Sequence, residues 1–466
     1  MAPKVIFDEN LIKAYDKSGP RYTSYPTAVQ FHEGFGEKDY KAWAQKTNEL
    51  SQQQKYPTPL SLYFHIPFCD TVCFYCGCNK VATKDRSRAA PYLQRVHREI
   101  AMQAELFDSH RPVDQLHWGG GTPTFISHDE MRALMRVTSE HFSLRTDDSG
   151  EYSIEIDPRE VQNDTLALLR ELGFNRLSLG VQDFDPKVQK AVNRIQSEEK
   201  TFEVLNTARQ LGYKSVSVDL IYGLPFQTVE SFATTVDKVI AASPDRLSVF
   251  NYAHLPAMFK PQRRINEADL PLPAEKLEIL RTTMDKLNNH GYEFIGMDHF
   301  AKPEDELAIA QANGTLYRNF QGYSTHADCD LVAMGVTSIG KVGNTYAQNV
   351  KTLDEYYQKI DAGHLAIFRG IELSADDVLR REIITQLICH FKLNFKQIER
   401  QFDIDFKRYF ALELNELASM EKDGLLHIDE NSMQVLPVGR LLIRNVCMVF
   451  DVYLRSATER KFSKVI

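Results

Sequence analysis

Two rhythms of hydrophobic and polar positions alternate along most of this chain. Strands read at residues 62–66, 115–118, 152–156, 176–181, 215–220 and 246–252. Between them the apolar residues take helical spacing. Met131, Leu134, Met135 and Phe142 make one such face behind a capping box of Ser127 and Glu130. A weak internal echo marks the repeating unit: Leu172-Gly173-Phe174-Asn175-Arg176-Leu177, then Leu211-Gly212-Tyr213-Lys214-Ser215-Val216, then His290-Gly291-Tyr292-Glu293-Phe294. Each places Gly after an amphipathic helix, then an aromatic residue, then a short apolar run, which is a helix C-cap feeding a strand. The second interval is about twice the first, and Asp245-Arg246-Leu247-Ser248-Val249-Phe250 supplies a further unit between them. Six strands alternating with helices predict an α/β fold of parallel βα units, a closed or partial TIM-like barrel.

The pattern divides the chain into an N-terminal strap and entry segment (1–50), a catalytic barrel with an extension (51–365) and a helical C-terminal domain (366–466). Within the first, Gly19-Pro20-Arg21-Tyr22-Thr23-Ser24-Tyr25-Pro26-Thr27 carries two prolines and is expected to lie extended, either packed on a domain or offering its Arg and Tyr side chains to an anionic aromatic ligand. Residues 316–348 read as an irregular loop, a lid or a packed connection. From about Ser374 helices precede a hairpin (425–428 and 433–436) and a final helix through Leu441 and Leu442, a winged-helix-like arrangement. DNA binding is the rival reading of that arrangement, and the segment lacks a concentrated basic stripe.

With 466 residues, 43% hydrophobic and 25% charged, the composition is that of an ordinary globular protein. A net charge of -8 argues against a general nucleic-acid binder. The first fifteen residues lack an apolar export core and no apolar run reaches membrane-spanning length, so a cytoplasmic protein is expected, without a membrane or nucleic-acid partner.

Cysteine usage changes the picture most. Residues 69–78 hold four of the seven cysteines, and Cys69, Cys73 and Cys76 stand at the spacing C-x3-C-x2-C. A four-iron four-sulfur cluster normally takes four thiolates, so a loop supplying three leaves one iron open to chelate a small molecule. Cys78 follows too closely to reach the remote corner. A four-thiolate zinc site is the alternative, although zinc ribbons use two separated C-x2-C pairs and no second pair exists here. Cys329, Cys389 and Cys447 are scattered singly and read as packed.

In a βα barrel the working residues sit at the C-terminal strand ends. The cysteine loop follows the first strand, and Gly119-Gly120-Gly121-Thr122-Pro123 the second. Glu155 and Asp157 end the third, Gln182 and Asp183 the fourth; Asp219 lies near the end of the fifth, with Asn251, Ala253 and His254 after the sixth. All would share one rim. Each has a plainer alternative, the Gly triplet as a turn and Glu155 or Asp219 as an ion-pair partner. His65, Asp298 and His299 also fall near strand ends, where a structural hydrogen bond is an equal reading.

These motifs resemble the radical S-adenosylmethionine enzymes and, among them, the oxygen-independent coproporphyrinogen III oxidase family. The likeness rests on His65-Ile66-Pro67-Phe68-Cys69 through Cys73, Cys76, Cys78 and Asn79. It extends from Pro20-Arg21-Tyr22-Thr23 through His117-Trp118-Gly119-Gly120-Gly121-Thr122-Pro123-Thr124 to residues 440–446. The resemblance implies a [4Fe-4S] cluster held by Cys69, Cys73 and Cys76. Its open iron would bind S-adenosylmethionine, and a 5'-deoxyadenosyl radical would take hydrogen from two propionates of coproporphyrinogen III, leaving vinyl groups. It places Tyr63, Gly120 and Glu155 around that S-adenosylmethionine, and Tyr75, Gly121, Thr122, Gln182, Arg194 and Asp219 around a second one, with Ala253 and Ile339 at nucleoside-contacting positions. Cys78, Glu155 and Arg194 are the expected catalytic residues, Arg194 because its fork can grip a carboxylate. Tyr75 stands where the family often carries Phe, so its added hydroxyl needs a partner. A reductant and an electron acceptor are implied but not named, and a monomer is expected. A haem chaperone sharing the radical fold is a rival, although such relatives usually lack the extra cysteine and the strap. A non-catalytic metal-binding protein is another.

Overall fold

The computed structural model describes residues 4–327 and 329–455; positions 456–466 of the C-terminal segment and 1–3 of the first lie outside the described residues. Six parallel strands follow the expected schedule: β1 Leu60–Ile66, β2 Pro112–Gly120, β3 Glu151–Ile156, β4 Arg176–Gln182, β5 Ser215–Tyr222 and β6 Arg246–Asn251. Each pairs with the next in parallel register, for example Tyr63 with His117 and Asp219 with Ser248. The sheet does not close. It runs on from both ends of this series, so the barrel is partial.

The echo motif has a physical basis. Gly173, Gly212 and Gly291 all sit at positive φ just past a helix, where a side chain would be strained. The aromatic residue that follows turns inward. Phe174 meets Trp118 edge-on at 4.8 Å, while the hydroxyls of Tyr213 and Tyr292 donate to the carbonyls of Leu166 and Pro244 at 2.8 and 2.7 Å. The capping box also forms, with Ser127 N donating to Glu130 at 2.8 Å, and the helix His128–His141 buries Met131, Leu134 and Met135.

Three expectations need correction. Residues 316–348 are not an irregular lid: they hold the hairpin of Tyr317–Asn319 and Gly322–Ser324, and the strands Asp330–Met334, Ile339–Val342 and Thr345–Asn349. Asp330–Met334 is a seventh parallel strand, paired to β1 and buried on both faces, so it shows no alternation to read. The other two extend the sheet antiparallel to Ile367–Glu372. The third copy of the echo likewise feeds an antiparallel strand, Glu293–Gly296, which reaches β6 only through His299–Ala301. Finally, Leu441 and Leu442 belong to a turn opened by Pro437, and the last long helical segment starts at Ile443.

The C-terminal part packs four helices between Ala375 and Lys422 on a small sheet of Lys392–Asn394, Ser432–Val435 and Leu426–Ile428, in winged-helix fashion. One continuous apolar core runs from the barrel into these helices. The strap crosses between them. Tyr22 donates to Asp451 at 2.9 Å, Arg444 Nε donates to the Pro20 carbonyl at 2.9 Å, and Arg21 pairs with Asp298 at 2.5 Å. Tyr22 and Tyr25 are buried, so the strap spends its tyrosines on packing. No helix among the described residues is long and apolar enough to cross a membrane.

Candidate functional site

Alternate residues of the parallel strands face the inside of the barrel, and here that face is polar and small. Gln115 and His117 of β2, Glu151, Ser153 and Glu155 of β3, Ser215, Ser217 and Asp219 of β5 all line a lumen of about 200 Å³. Above it a second cavity of about 370 Å³ opens at the C-terminal strand ends. The two share Glu155, Ser178, Asp219 and Phe250. The alternation Ser215-Val216-Ser217-Val218-Asp219 was visible in the sequence as a half-polar strand.

The upper cavity brings together Cys69, Cys73, Tyr75, Cys76, Cys78, Gly120, Gly121, Thr122, Glu155, Gln182, Arg194 and Asp219. Tyr63, Ala253 and Ile339 are not in its lining. Tyr63 stacks on His117, with ring centroids 5.8 Å apart, and its hydroxyl meets His65 Nδ1 at 3.1 Å. The Ala253 carbonyl accepts from Gln262, whose amide also donates to the Tyr75 carbonyl at 2.9 Å. Ile339 packs beside Phe31, Tyr346 and Ile371 in the antiparallel extension. Asp183 turns away from the cavity to accept from Gln227 and Thr235, and Asp298 is taken up by Arg21.

The glycine triplet serves the protein's own backbone first. Gly121 N donates to the Ile66 carbonyl at 2.8 Å, and a Cβ on Gly121 would stand 2.6 Å from the Phe68 carbonyl oxygen and 2.8 Å from Pro67 C. Those are main-chain atoms at the root of the cysteine loop and cannot swing aside. Gly121→Ala is therefore expected to displace the loop and cost about 1–3 kcal/mol by overpacking, read as a lower melting midpoint together with reduced iron uptake on anaerobic reconstitution.

Charge is arranged around the thiols. Arg194 donates to Asp157 at 3.0 Å, to the Gly180 carbonyl at 2.5 Å and towards Cys73 Sγ at 3.6 Å. Arg159 grips the same Asp157 at 2.6 Å and reaches Cys73 Sγ at 3.9 Å. Burial alone would raise the Asp157 carboxyl, but the two guanidiniums outweigh it and hold it below the usual carboxylate range. Thr122 Oγ1 lies 3.6 Å from Cys69 Sγ, whose thiol burial pushes up to about 11. A hydrogen bond from Cys78 is the main cause that brings Cys76 down to about 5 and sends Cys78 up. Arg159 and Lys80, both in the lining, were missed in the sequence; an Arg two residues past a strand-end Asp was the available signal.

Glu155 accepts from Gly120 N at 3.0 Å and lies 3.5 Å from His117 Nε2. Desolvation works to raise its carboxyl, and the His117 and Gly120 contacts outweigh that and keep it ionised. Asp219 is the reverse case: burial, with the charge of Glu155 adding to it, raises it to about 6 despite hydroxyls from Ser248 and Ser178. Its folded value lies above the unfolded one, so the folded state holds the proton more tightly and stability falls as pH rises from the unfolded value through about 6. Asp219→Asn is thus expected to stabilise the empty protein by up to about 3 kcal/mol above that window. A melting-midpoint gain at pH 7.5 that shrinks towards pH 5 checks it.

Several buried polar atoms in this region have no partner within the protein: Gln182 Oε1 and Arg194 Nε in the upper cavity, and His299 Nδ1 and Gln321 Oε1 in the lumen. Buried groups are normally satisfied, so these point to a polar ligand. Among the described residues no three His, Cys, Asp or Glu side chains converge as the ligands of a single ion would. Cys69, Cys73 and Cys76 instead surround one cavity beside two guanidiniums, which suits a thiolate-held cluster whose added negative charge needs compensation.

Comparison with known proteins agrees with this geometry. Residues 63–239 match the Radical SAM superfamily and residues 373–442 the HemN C-terminal domain. The chain is 55% identical over 466 residues to the oxygen-independent coproporphyrinogen III oxidase of Pseudomonas aeruginosa, covering 100% of both chains. It is 52% identical over 465 residues to the protein of that name from Escherichia coli K12, covering 99% of each. The solved structure described as "Coproporphyrinogen III oxidase (HemN) from Escherichia coli is a Radical SAM enzyme" superposes with a TM-score of 0.91 at 50% identity, over 97% of this chain and 100% of the other.

Proposed function

Because the chain belongs to the oxygen-independent coproporphyrinogen III oxidase family, we propose that Cys69, Cys73 and Cys76 hold its cluster and that the rim residues above the lumen hold S-adenosylmethionine. The protein is a radical S-adenosylmethionine oxidoreductase of haem biosynthesis, converting two propionate side chains of coproporphyrinogen III into vinyl groups to give protoporphyrinogen IX. Bound at the rim, the [4Fe-4S] cluster and S-adenosylmethionine supply the electron and the 5'-deoxyadenosyl radical that the reaction needs.

The protein's part is positioning and shielding. Glu155, kept ionised, can accept from an ammonium group, and Arg194 has an unpartnered Nε with which to meet a carboxylate. Gln182 Oε1 can accept a further polar contact, and Asp219 can do the same once it is unprotonated. Phe250 and Ile156 line the cavity and keep part of it apolar, which helps exclude water. The upper cavity continues into the lumen through shared walls, which supports the reading that two S-adenosylmethionine molecules are held. Cys78, outside the C-x3-C-x2-C set, is free for a role in turnover. A monomer in the cytoplasm, reduced by a separate electron carrier, completes the reading.

The observation that carries it is the convergence of three cysteines at the radical spacing on a rim that also holds Glu155, Gln182, Arg194 and Asp219. Anaerobically reconstituted protein should carry about four irons per chain, cleave S-adenosylmethionine once reduced, and release carbon dioxide from coproporphyrinogen III. Binding of haem with no vinyl product would indicate a chaperone instead, and zinc without iron would overturn the cluster.

A further inference from the structure

Two stretches packed on the cysteine loop, residues 186–195 and 255–265, carry cations and no acidic residue. Their contacts with the loop are direct. Phe74 N donates to the Val192 carbonyl at 2.9 Å, Asn193 to the Val72 carbonyl at 2.8 Å, and Gln262 to the Tyr75 carbonyl at 2.9 Å; Arg264 lies 5.1 Å from the Phe74 ring centroid. Beneath this junction Val188, Val192, Leu224, Tyr252 and Ile265 make a small apolar cluster separate from the main core, with Phe74 and Tyr75 packed against it.

Lys190, Lys260, Arg263 and Arg264 are exposed at this junction, and none of them forms an ion pair among the described residues. Beside them Ile195 and Met258 are 71% and 66% exposed. Gly77, Cys78 and Asn79, on the outer edge of the cysteine loop, also reach the surface. In a chain of net charge -8, exposed cations with exposed apolar side chains on the two stretches that hold the cysteine loop run against the overall sign. Apolar and cationic side chains exposed together suit a transient protein interface. None of the four cations lines the cavity, so they face a visitor outside it rather than a ligand within.

We propose that this face is the docking surface for an acidic one-electron carrier protein. The proposal rests on the assignment of the cluster to Cys69, Cys73 and Cys76. Docking brings the carrier's redox centre against the outside of the loop that holds the cluster; the carrier is oxidised by one electron, the bound cluster is reduced by one, and no atom is transferred. Complementary charge mainly sets the rate of encounter, and salt weakens it.

The test uses the reconstituted full-length protein and its charge-reversed variant Lys190→Glu/Lys260→Glu/Arg263→Glu, with each single reversal as a check on folding. S-adenosylmethionine cleavage is driven either by a reduced plant-type ferredoxin or by dithionite. The expected result is at least a tenfold loss of the ferredoxin-driven rate at low salt, narrowing as salt rises, with iron content and the dithionite-driven rate unchanged. An unchanged ferredoxin-driven rate overturns the docking surface. So does a higher KM for coproporphyrinogen III under dithionite, which would give these cations to the substrate's carboxylates. If the unaltered protein fails to cleave S-adenosylmethionine under dithionite, it is the cluster assignment that falls, and that arm reports it separately.

Discussion

Serine in place of Cys69, Cys73 or Cys76 is expected to leave a folded protein without a cluster and without measurable S-adenosylmethionine cleavage, whereas Cys78→Ser keeps the cluster and loses turnover. The reason is ligand count. Three thiolates hold three of the four irons and leave one open, and a hydroxyl is a poor replacement for a soft thiolate. All three side chains line the upper cavity, and none lies in the main apolar core, so folding should survive the exchange. Cys78 is exposed and hydrogen-bonded to Cys76, which places it beside the ligand set. Iron content, visible absorption and cleavage on each of the four variants separate the roles. Equal cluster loss in all four would put Cys78 among the ligands and close the open corner.

Arg194→Met should produce the next largest change. Arg194 is buried and touches Asp157, the Gly180 carbonyl and Cys73 Sγ at once. Removing it leaves Asp157 buried with Arg159 alone. Breaking a buried pair costs about 3–5 kcal/mol, and the remaining bidentate partner should keep the loss towards the lower end. A charge-assisted contact to a ligand carboxylate is worth about 1.5–3 kcal/mol, so S-adenosylmethionine affinity should fall roughly ten- to a hundredfold by equilibrium dialysis. Arg194→Lys should recover stability better than affinity, since an ammonium keeps the charge and loses the fork. Unchanged affinity in the Met variant would confine Arg194 to holding Asp157.

The sequence disclosed the parallel strands through their alternation with helices, and two of them, β4 and β5, are also announced by a local device, a glycine at positive φ followed by an inward aromatic. It also disclosed the rim, since strand-end residues of parallel βα units must meet on one side. What it hid depends on pairing over distance. Asp330–Met334 is buried on both faces and joins β1 across most of the chain, so no alternation or neighbouring turn marks it. Glu293–Gly296 shares its glycine and aromatic with the true βα units, and only its partner strand makes it antiparallel. Tyr63 and Arg159 show the same limit at the site. Tyr63 spends its hydroxyl on His65, two residues along the same strand, while Arg159 reaches Cys73 through a bend after Asp157 that no spacing rule describes.

Apart from the pair of Arg21 with Asp298, the strap and the turn before it bind far along the chain: Tyr22 to Asp451, Pro20 to Arg444, and the Tyr15 carbonyl to Asn445. During synthesis the barrel strands emerge and can pair long before those partners exist. The strap must therefore wait for partners more than 400 residues downstream, and metal loaded onto a nascent chain would meet a barrel whose belt is still unfastened.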